Sequence, residues 1–140
     1  MEEIFVSKFC DAKWHMHNSD KIKAGASSDL KWCFLVDSTQ HISNGLSMGC
    51  LHIPVGSHLP THFHSPQEIY LVKNGKGLLL MEGKQNRKIS KEEVVYIPPG
   101  KKHGLRHIGS EPLEVFWIFP TDCWEEVEYN YANNETAKKA

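Results

Sequence analysis

The sequence predicts a single all-β domain, and three observations support that expectation. The chain has 140 residues, a length typical of one domain. From residue 31 onward, short runs of β-branched and aromatic residues recur, with Gly, Pro and Asn between them. Short strands separated by turn residues are typical of a sandwich or a barrel. The composition, 40% hydrophobic and 24% charged residues, is that of a globular chain and excludes intrinsic disorder.

The chain divides into an N-terminal segment, a barrel and a tail. Residues 1–30 are expected to pack on the barrel as a short helical or irregular segment, and apolar residues three to four apart favour a helix between Phe5 and Trp14. A polar loop containing Gly and Ser is expected over 18–29. The barrel spans residues 31–132, and the polar tail over 133–140 is expected to be flexible.

Apolar runs in the barrel predict its strands, and turn residues separate them. The runs cover residues 32–36, 46–53, 68–72, 77–81, 94–97 and 113–119. Asn74-Gly75 separates two of these runs and predicts a hairpin, because both central residues of the favoured hairpin turn take a positive φ. Glu82-Gly83 predicts the turn that follows.

Charge and hydropathy exclude several classes of partner. The formal net charge is -1, so the chain has no overall positive field to hold nucleic acid or anionic lipid. No apolar run approaches the length of a membrane-spanning helix, and the acidic N-terminus lacks the features of a signal peptide. We therefore expect a cytoplasmic protein with no nucleic-acid or membrane partner. The four cysteines form no C-x-x-C pair and are predicted to be small buried hydrophobic residues.

Four of the residues that can bind a metal are spaced so that they converge. His62 and His64 are two apart, which directs both imidazoles of a strand to one face. Glu68 begins the next strand run, and His103 follows the turn at 98–100. Three nitrogens and one carboxylate suit a divalent transition metal and leave positions open for water or substrate. Surface histidines are the alternative explanation.

A second histidine pair shows why spacing alone is weak evidence. His15 and His17 have the same separation as His62 and His64, but they lie in a polar segment. No carboxylate follows them at the start of a strand. We therefore predict that His15 and His17 do not bind a metal.

The spacing of these residues resembles the two motifs of the cupin superfamily. The first motif reads Gly56, five residues, His62-x-His64, three residues, Glu68, six residues and Gly75; the second reads Pro98-x-Gly100, two residues and His103. The resemblance covers roughly residues 45–120. It implies a double-stranded β-helix, the jelly-roll barrel of cupins, in which His62, His64, Glu68 and His103 hold the metal.

The second motif departs from the cupin pattern at two positions. Glu92 stands where the motif has its leading Gly, so the turn there is expected to differ. His107 stands at the usual Asn position, four residues after His103 on the same strand face. It is either a hydrogen-bond donor behind the metal ligands or a packed histidine, with packing favoured. We include it among the residues of the substrate pocket.

Tyr70 lies two residues after Glu68 and is therefore expected to face the same cavity. A cation nearby lowers the pKa of a phenol, which makes Tyr70 a candidate general base. A core tyrosine with a satisfied hydroxyl is the alternative. Aromatic residues near the C-terminal end of the barrel would pack in the core or offer a π-rich wall to a cationic ligand.

Several short segments resemble the small cupin lyases of marine bacteria that cleave dimethylsulfoniopropionate to dimethyl sulfide and acrylate. These segments are 32–35, 64–70, 74–77, 117–122 and 126–129. The resemblance implies that Tyr70 is catalytic and that Tyr129 is the second tyrosine of the active site. The substrate is a small zwitterion, and Trp117, Tyr129 and Trp32 would offer aromatic faces to its sulfonium group.

Two other functions remain open at this stage. Another metal-dependent cupin enzyme, such as a dioxygenase or an isomerase, would use the same four ligands without a tyrosine base. A non-enzymatic protein that binds an osmolyte or a sugar is the second alternative. The ligand set accepts one divalent transition metal, Fe(II), Mn, Ni, Co or Zn. We expect a homodimer, since cupins commonly pair through sheet edges.

Overall fold

The structure is a computed structural model that describes residues 2–16 and 29–131. Within these residues it contains eleven strands and two short 3₁₀ helices, so the all-β prediction is confirmed. The strands are β1 His15–Met16, β2 Lys31–Val36, β3 Ser47–Ile53, β4 His58–Phe63, β5 Glu68–Asn74, β6 Lys76–Met81, β7 Arg87–Ser90, β8 Val94–Ile97, β9 His103–His107, β10 Leu113–Phe119 and β11 Asn130–Tyr131. The 3₁₀ helices are Phe9–Asp11 and Trp124–Glu126.

The strands form two antiparallel sheets that face each other. The larger sheet has the order β1-β2-β3-β10-β5-β8, and the smaller has the order β11-β4-β9-β6-β7. Apart from β1-β2-β3 and β6-β7, neighbouring strands are not consecutive in sequence, as in a jelly roll. Along β10, Leu113, Val115, Trp117 and Phe119 are buried and alternate with partly exposed residues. This alternation places every second side chain between the sheets.

Strands β4 and β9 do not stand out as apolar runs. Both carry polar residues at interior positions, among them His62 on β4 and His103 on β9. The two histidines are directly paired across the smaller sheet. Apolar residues at these interior positions would have revealed the strands by their alternation. Residues of the candidate metal site occupy the positions instead.

The hairpin predicted at Asn74-Gly75 is wrong. β5 belongs to the larger sheet and β6 to the smaller, so the chain passes between the sheets here. Gly75 has the expected positive φ of 88°. A Cβ at Gly75 would lie 2.5 Å from the carbonyl oxygen of Pro112, and the Asn74 side-chain amide donates to that same oxygen at 2.7 Å. Asn74 and Gly75 therefore form a corner between the two sheets, and their contacts with the loop before β10 hold this corner in place.

Of the helical and irregular forms predicted for the N-terminal segment, the irregular form is confirmed, and no continuous helix runs between Phe5 and Trp14. One 3₁₀ turn forms at Phe9–Asp11, and β1 pairs with β2 through His15 and Trp32. The apolar side chains do not form one buried helical face, since Ile4 and Val6 are exposed. Phe9 instead packs edge-on against Phe116 at 6.1 Å, on the outer side of the larger sheet. His17, most of the loop predicted over 18–29 and the tail 133–140 lie outside the described residues.

The four cysteines differ in their burial. Cys33 and Cys50 are fully buried, as predicted, but Cys10 is exposed and Cys123 is half-buried. The prediction of buried cysteines was therefore wrong for Cys10. Across the described parts of the chain, no helix has the length and apolar character needed to cross a membrane.

Candidate metal centre

Three histidines converge between the sheets. His62 lies on β4, His64 follows the end of that strand, and His103 begins β9. One ring nitrogen from each lies within 4.8 Å of the other two. All three side chains are buried, and the turn at 65–67 brings Glu68 back toward them at the start of β5. The structure therefore brings together the residues that the sequence pattern selected.

Backbone carbonyls fix the tautomer of each histidine. Nδ1 of His62 lies 2.7 Å from the carbonyl oxygen of Pro60, and Nδ1 of His103 lies 2.7 Å from that of Lys101. Nδ1 of His64 lies 2.9 Å from the carbonyl oxygen two residues further on. A carbonyl oxygen only accepts, so each Nδ1 carries the proton that it donates. In the neutral ring this leaves a lone pair on Nε2, the state in which histidine binds a metal.

Glu68 faces these lone pairs. Its Oε1 lies 3.1 Å from Nε2 of His64 and 3.4 Å from Nε2 of His103, and the side chain is buried. Nε2 of His62 and of His103 make no hydrogen bond to any described residue. Lone pairs and a carboxylate that face one another without water repel, unless a cation lies among them. The donor set therefore fits a divalent transition metal.

The electrostatics of His62 agree with a ligand role. Burial lowers the pKa of His62 well below its usual value, and the nearby His103 lowers it further. The neutral imidazole is the form that can donate a lone pair. His62 is thus held in the protonation state that metal binding requires.

A narrow cavity of about 40 Å³ lies next to this cluster. Glu68 and Tyr70 form one part of its wall, and the predicted aromatic residues Trp32, Trp117 and Tyr129 form another. The indole nitrogen of Trp117 is buried and makes no hydrogen bond within the described chain, so it is a donor available to a ligand. The remaining lining residues are Leu30, Leu51, Leu59, Trp124 and Tyr131.

Tyr70 occupies the position that the spacing predicted. It is paired with Trp117 across the larger sheet, and its ring lies 6.1 Å from that of His103. Burial raises the pKa of Tyr70 well above its usual value, and the charge of Glu68 raises it further. The phenol is therefore protonated unless a positive charge offsets both effects.

Tyr129 covers the other side of the cluster. Its ring stacks on His62 with centroids 4.8 Å apart and an interplanar angle of 17°. The indole N–H of Trp124 donates to the Tyr129 hydroxyl at 3.1 Å. Burial, followed by the charge of Glu68, raises the pKa of Tyr129 well above its usual value.

His107 does not line the cavity, so its placement in the substrate pocket is corrected. It lies at the opposite end of β9 from His103. Nε2 of His107 contacts the carbonyl oxygen of Glu111, and the backbone N–H of Gly109 donates to Nδ1 at 3.1 Å. Both ring nitrogens are thus bonded to the loop before β10, and His107 has the packing role that the sequence favoured.

Trp124 and Tyr131 are among the C-terminal aromatic residues expected either in the core or in the wall, and both line the cavity. Tyr131 lies two residues after Tyr129 and pairs with His62 across β11 and β4. The same two-residue spacing that linked Glu68 to Tyr70 would have suggested it. Trp124 lies on a 3₁₀ helix after the last long strand, and no local pattern indicates that this helix returns to the cavity.

A family model assigns the class of protein. Residues 49–119 match the family described as Cupin domain. The matched region includes β4 and β9, which carry the converging histidines. The chain belongs to the cupin family.

Curated relatives narrow the comparison. The chain is 27% identical over 103 residues to "Dimethylsulfoniopropionate lyase DddW" of Ruegeria pomeroyi, covering 74% of this chain and 66% of that protein. It is 29% identical over 108 residues to "Dimethylsulfoniopropionate lyase DddQ" of the same organism, covering 76% and 54%. An uncharacterized protein of Methanocaldococcus jannaschii is 34% identical over 78 residues, covering 54% and 62%. The chain thus spans between about half and two thirds of the length of these relatives.

Solved structures share the fold. The crystal structure of DddQ from Ruegeria pomeroyi has a TM-score of 0.72 at 22% identity, covering 90% of this chain and 64% of that one. The polyketide cyclase RemF from Streptomyces resistomycificus has a TM-score of 0.69 at 17% identity, covering 86% and 79%. A predicted oxalate decarboxylase from Thermotoga maritima has a TM-score of 0.67 at 19% identity, covering 84% and 99%. The architecture therefore serves several chemistries, and the function must be argued from the site.

Proposed function

We propose that this protein is a metal-dependent lyase that cleaves dimethylsulfoniopropionate to dimethyl sulfide and acrylate. The observation that carries the proposal is that Tyr70 lines one cavity together with Glu68 and three aromatic side chains, Trp32, Trp117 and Tyr129. Two curated relatives that bear the name of this activity support it.

The four predicted ligands would hold one divalent transition metal. His62, His64 and His103 would contribute Nε2 lone pairs, and Glu68 would contribute a carboxylate oxygen. When bound, the cation supplies a Lewis acid for the substrate carboxylate and for the negative charge that develops when the α-proton leaves. Its charge also opposes the burial and the Glu68 charge that raise the pKa of Tyr70.

Tyr70 is the proposed general base. Its phenolate oxygen takes the α-proton of the substrate, and the electron pair of the broken C–H bond forms the C=C bond of acrylate. The C–S bond breaks, and its electron pair stays on sulfur, so the sulfonium leaves as neutral dimethyl sulfide. No general acid is needed, because the leaving group takes no proton. Tyr70 then releases its proton before the next cycle.

The aromatic wall suits the cationic end of the substrate. Trp117, Trp32 and Tyr129 line the cavity next to the ligand set. An aromatic face attracts a cation with about 0.5–2 kcal/mol per contact. The carboxylate would face the metal ligands and Tyr129, whose ring stacks on His62, and the sulfonium would face the indoles of Trp32 and Trp117, so that the α-carbon lies near Tyr70.

The cavity must widen for this reaction. At about 40 Å³ it holds only a few water molecules. Trp124 and Leu51 are the half-buried members of the wall, and of these two Trp124 lies outside the two sheets. Substrate entry therefore requires the wall near Trp124 to move.

Headspace gas chromatography tests the proposed activity. Purified protein loaded in turn with each candidate metal would be given dimethylsulfoniopropionate, and dimethyl sulfide would be measured in the headspace while oxygen is monitored in solution. We expect metal-dependent dimethyl sulfide release without oxygen consumption. Absence of the gas with every metal would refute the lyase, and oxygen uptake would favour a dioxygenase.

We also propose that the protein is a cytoplasmic homodimer. β8 is an edge strand of the larger sheet, and the side chain of Val94 on it is 62% exposed. An apolar edge strand invites pairing with another chain. Sedimentation velocity of the wild type and of Val94→Lys tests this: we expect a dimer that the charge weakens, and a monomeric wild type would refute it.

A further inference from the structure

Residues 120–131, here called the cap, follow β10 and close one side of the cavity. The cap contains the 3₁₀ helix Trp124–Glu126 and ends in β11, which pairs with β4. It contributes Trp124, Tyr129 and Tyr131 to the cavity wall. The position of the cap therefore determines the shape of the cavity beside the metal ligands.

Asp37, which lies 87 positions before Trp124 in the sequence, anchors the cap. It follows the end of β2, and its side chain is buried. Its Oδ2 accepts the backbone N–H of Trp124 at 2.9 Å. Its Oδ1 accepts the backbone N–H of Thr39 at 3.0 Å and also the Thr39 hydroxyl. A buried carboxylate is costly unless it is well bonded, so these three donors hold both Asp37 and the cap segment in place.

The loop after Asp37 makes further bonds to the start of the cap. The backbone N–H of Ser38 donates to the carbonyl oxygen of Asp122 at 2.9 Å, and that of Gly45 donates to the Asp122 carboxylate at 2.8 Å. These contacts hold the chain just before Trp124 against the loop that follows Asp37. The indole of Trp124 is thereby placed over the cavity.

Trp124 in turn orients Tyr129. An indole N–H can only donate, so in their 3.1 Å hydrogen bond the Tyr129 oxygen is the acceptor. The phenol proton must then point away from Trp124. No described residue accepts that proton, although the Tyr129 side chain is only 9% exposed and its ring lies against His62. The Tyr129 O–H is therefore a buried donor free to bond a ligand in the cavity.

We propose that Asp37 and Trp124 are positioning residues that aim the Tyr129 O–H at the carboxylate of a ligand bound in the cavity. Identifying this ligand as the substrate rests on the proposed function, whereas the aim of the hydroxyl is a property of the protein without substrate. Tyr129 is then a substrate-binding donor, distinct from the base Tyr70. The ring of Trp124 also lines the cavity, but its indole N–H, held in place by Asp37, acts on the ligand through Tyr129.

Nuclear magnetic resonance tests the positioning without any turnover. In ¹⁵N-labelled, zinc-loaded protein, Trp124→Phe identifies the indole N–H signal of Trp124. We expect Tyr129→Phe and Asp37→Ala each to move this signal and to speed its exchange with water by about tenfold or more, as for a lost hydrogen bond. Ser38→Ala is the matched control: it keeps the backbone N–H that donates to Asp122 and changes no side-chain bond to Asp37, so the Trp124 signal should stay in place.

Kinetics test the effect on substrate binding. A hydrogen bond to a charged group predicts that Tyr129→Phe raises KM about 10- to 100-fold, with kcat less affected, and that Trp124→Phe raises it about 2- to 10-fold. The double variant should match Tyr129→Phe alone, because Trp124 acts through Tyr129. These variants also test the relay if Asp37→Ala does not fold.

Two results would overturn the positioning proposal. One is a Trp124 indole signal that Tyr129→Phe leaves unchanged; the other is a double variant in which the two KM effects multiply. If the wild type releases no dimethyl sulfide, the lyase proposal fails, and the resonance experiment still decides whether Asp37 and Trp124 position Tyr129.

Discussion

The two ends of β9 carry buried histidines with opposite chemistry. At one end, Nδ1 of His103 donates to a carbonyl oxygen and Nε2 makes no hydrogen bond to a described residue. At the other end, both ring nitrogens of His107 are bonded to the following loop. The two side chains are similarly buried, 3% and 5% exposed, so burial does not distinguish them.

A ligand histidine differs from a packed histidine in its hydrogen bonds and not in its burial. A packed histidine forms hydrogen bonds through both ring nitrogens within the protein. A ligand histidine instead keeps the lone pair of one nitrogen unbonded and pointing toward the other metal ligands. His62 shares this arrangement with His103: its Nδ1 donates to Pro60 and its Nε2 is buried without a hydrogen bond to the described chain. A free Nε2 that converges with others is therefore better evidence of metal binding than His-x-His spacing alone.

Substitutions of the histidines at the two ends of β9 should differ most in how much metal the protein retains. His103→Ala, and likewise His62→Ala or His64→Ala, removes a ligand and should cost more than the ~10–100-fold in metal affinity typical of losing a partner behind a ligand. His107→Ala should retain the metal, as should His15→Ala. Elemental analysis of the purified variants measures this. Equal metal content in His103→Ala and the wild type would refute the assignment.

The next effect concerns the phenol at the metal end. Tyr70→Phe keeps the ring but removes the proposed base, so kcat for dimethyl sulfide release should fall about 10²–10⁴-fold with KM nearly unchanged. Tyr96→Phe, on a largely exposed tyrosine, is the matched control and should leave kcat unchanged. Steady-state kinetics on metal-loaded protein decide the point. If Tyr70→Phe kept more than about a tenth of the wild-type kcat, the base would have to be another group, with Tyr129 the first candidate.

In metal-free protein, we expect His107→Ala to lower the free energy of unfolding more than His103→Ala does. His107→Ala leaves the carbonyl of Glu111 and the N–H of Gly109 without their partner and opens a cavity, which should cost about 2–4 kcal/mol. His103→Ala should cost less, because it also removes an unpaired lone pair facing Glu68. Urea denaturation after chelation measures both. A larger loss for His103→Ala would mean that its packing, not its metal, explains its burial.

The smallest change in stability is expected for Glu92, and substitution there tests whether the backbone is strained near the His107 end of β9. Glu92 has a φ of 73° in the turn between β7 and β8, a conformation that costs a non-glycine residue about 1–2 kcal/mol. The turn expected to differ thus keeps a glycine-like backbone. Glu92→Gly should raise the free energy of unfolding by about 0.5–1 kcal/mol, after allowing for the greater freedom of glycine in the unfolded chain. Lys91→Gly, where φ is not positive, should lower it by about the same amount. Denaturation curves that show no gain for Glu92→Gly would contradict the strain.

Much of the fold could be predicted because strand patterns are local. The apolar runs at 32–36, 68–72 and 113–119 lie within or coincide with β2, β5 and β10, since every second residue of these strands faces the core. The converging residues could be predicted for the same reason, as a two-residue spacing places Glu68 and Tyr70 on one face. β4 and β9 were harder to recognise, because His62 and His103 replace apolar residues there.

Which residues face the interior, and which of them can bind a metal, could be predicted without a structure, because both depend on residue type and a period of two. The tertiary structure decided which sheet each strand joins, so that Asn74-Gly75 became a corner instead of a hairpin. It also decided the tautomers of the histidines, since each Nδ1 finds its carbonyl only in the folded backbone. The bond from Asp37 to Trp124 joins residues 87 positions apart, and no local pattern encodes a contact at that separation.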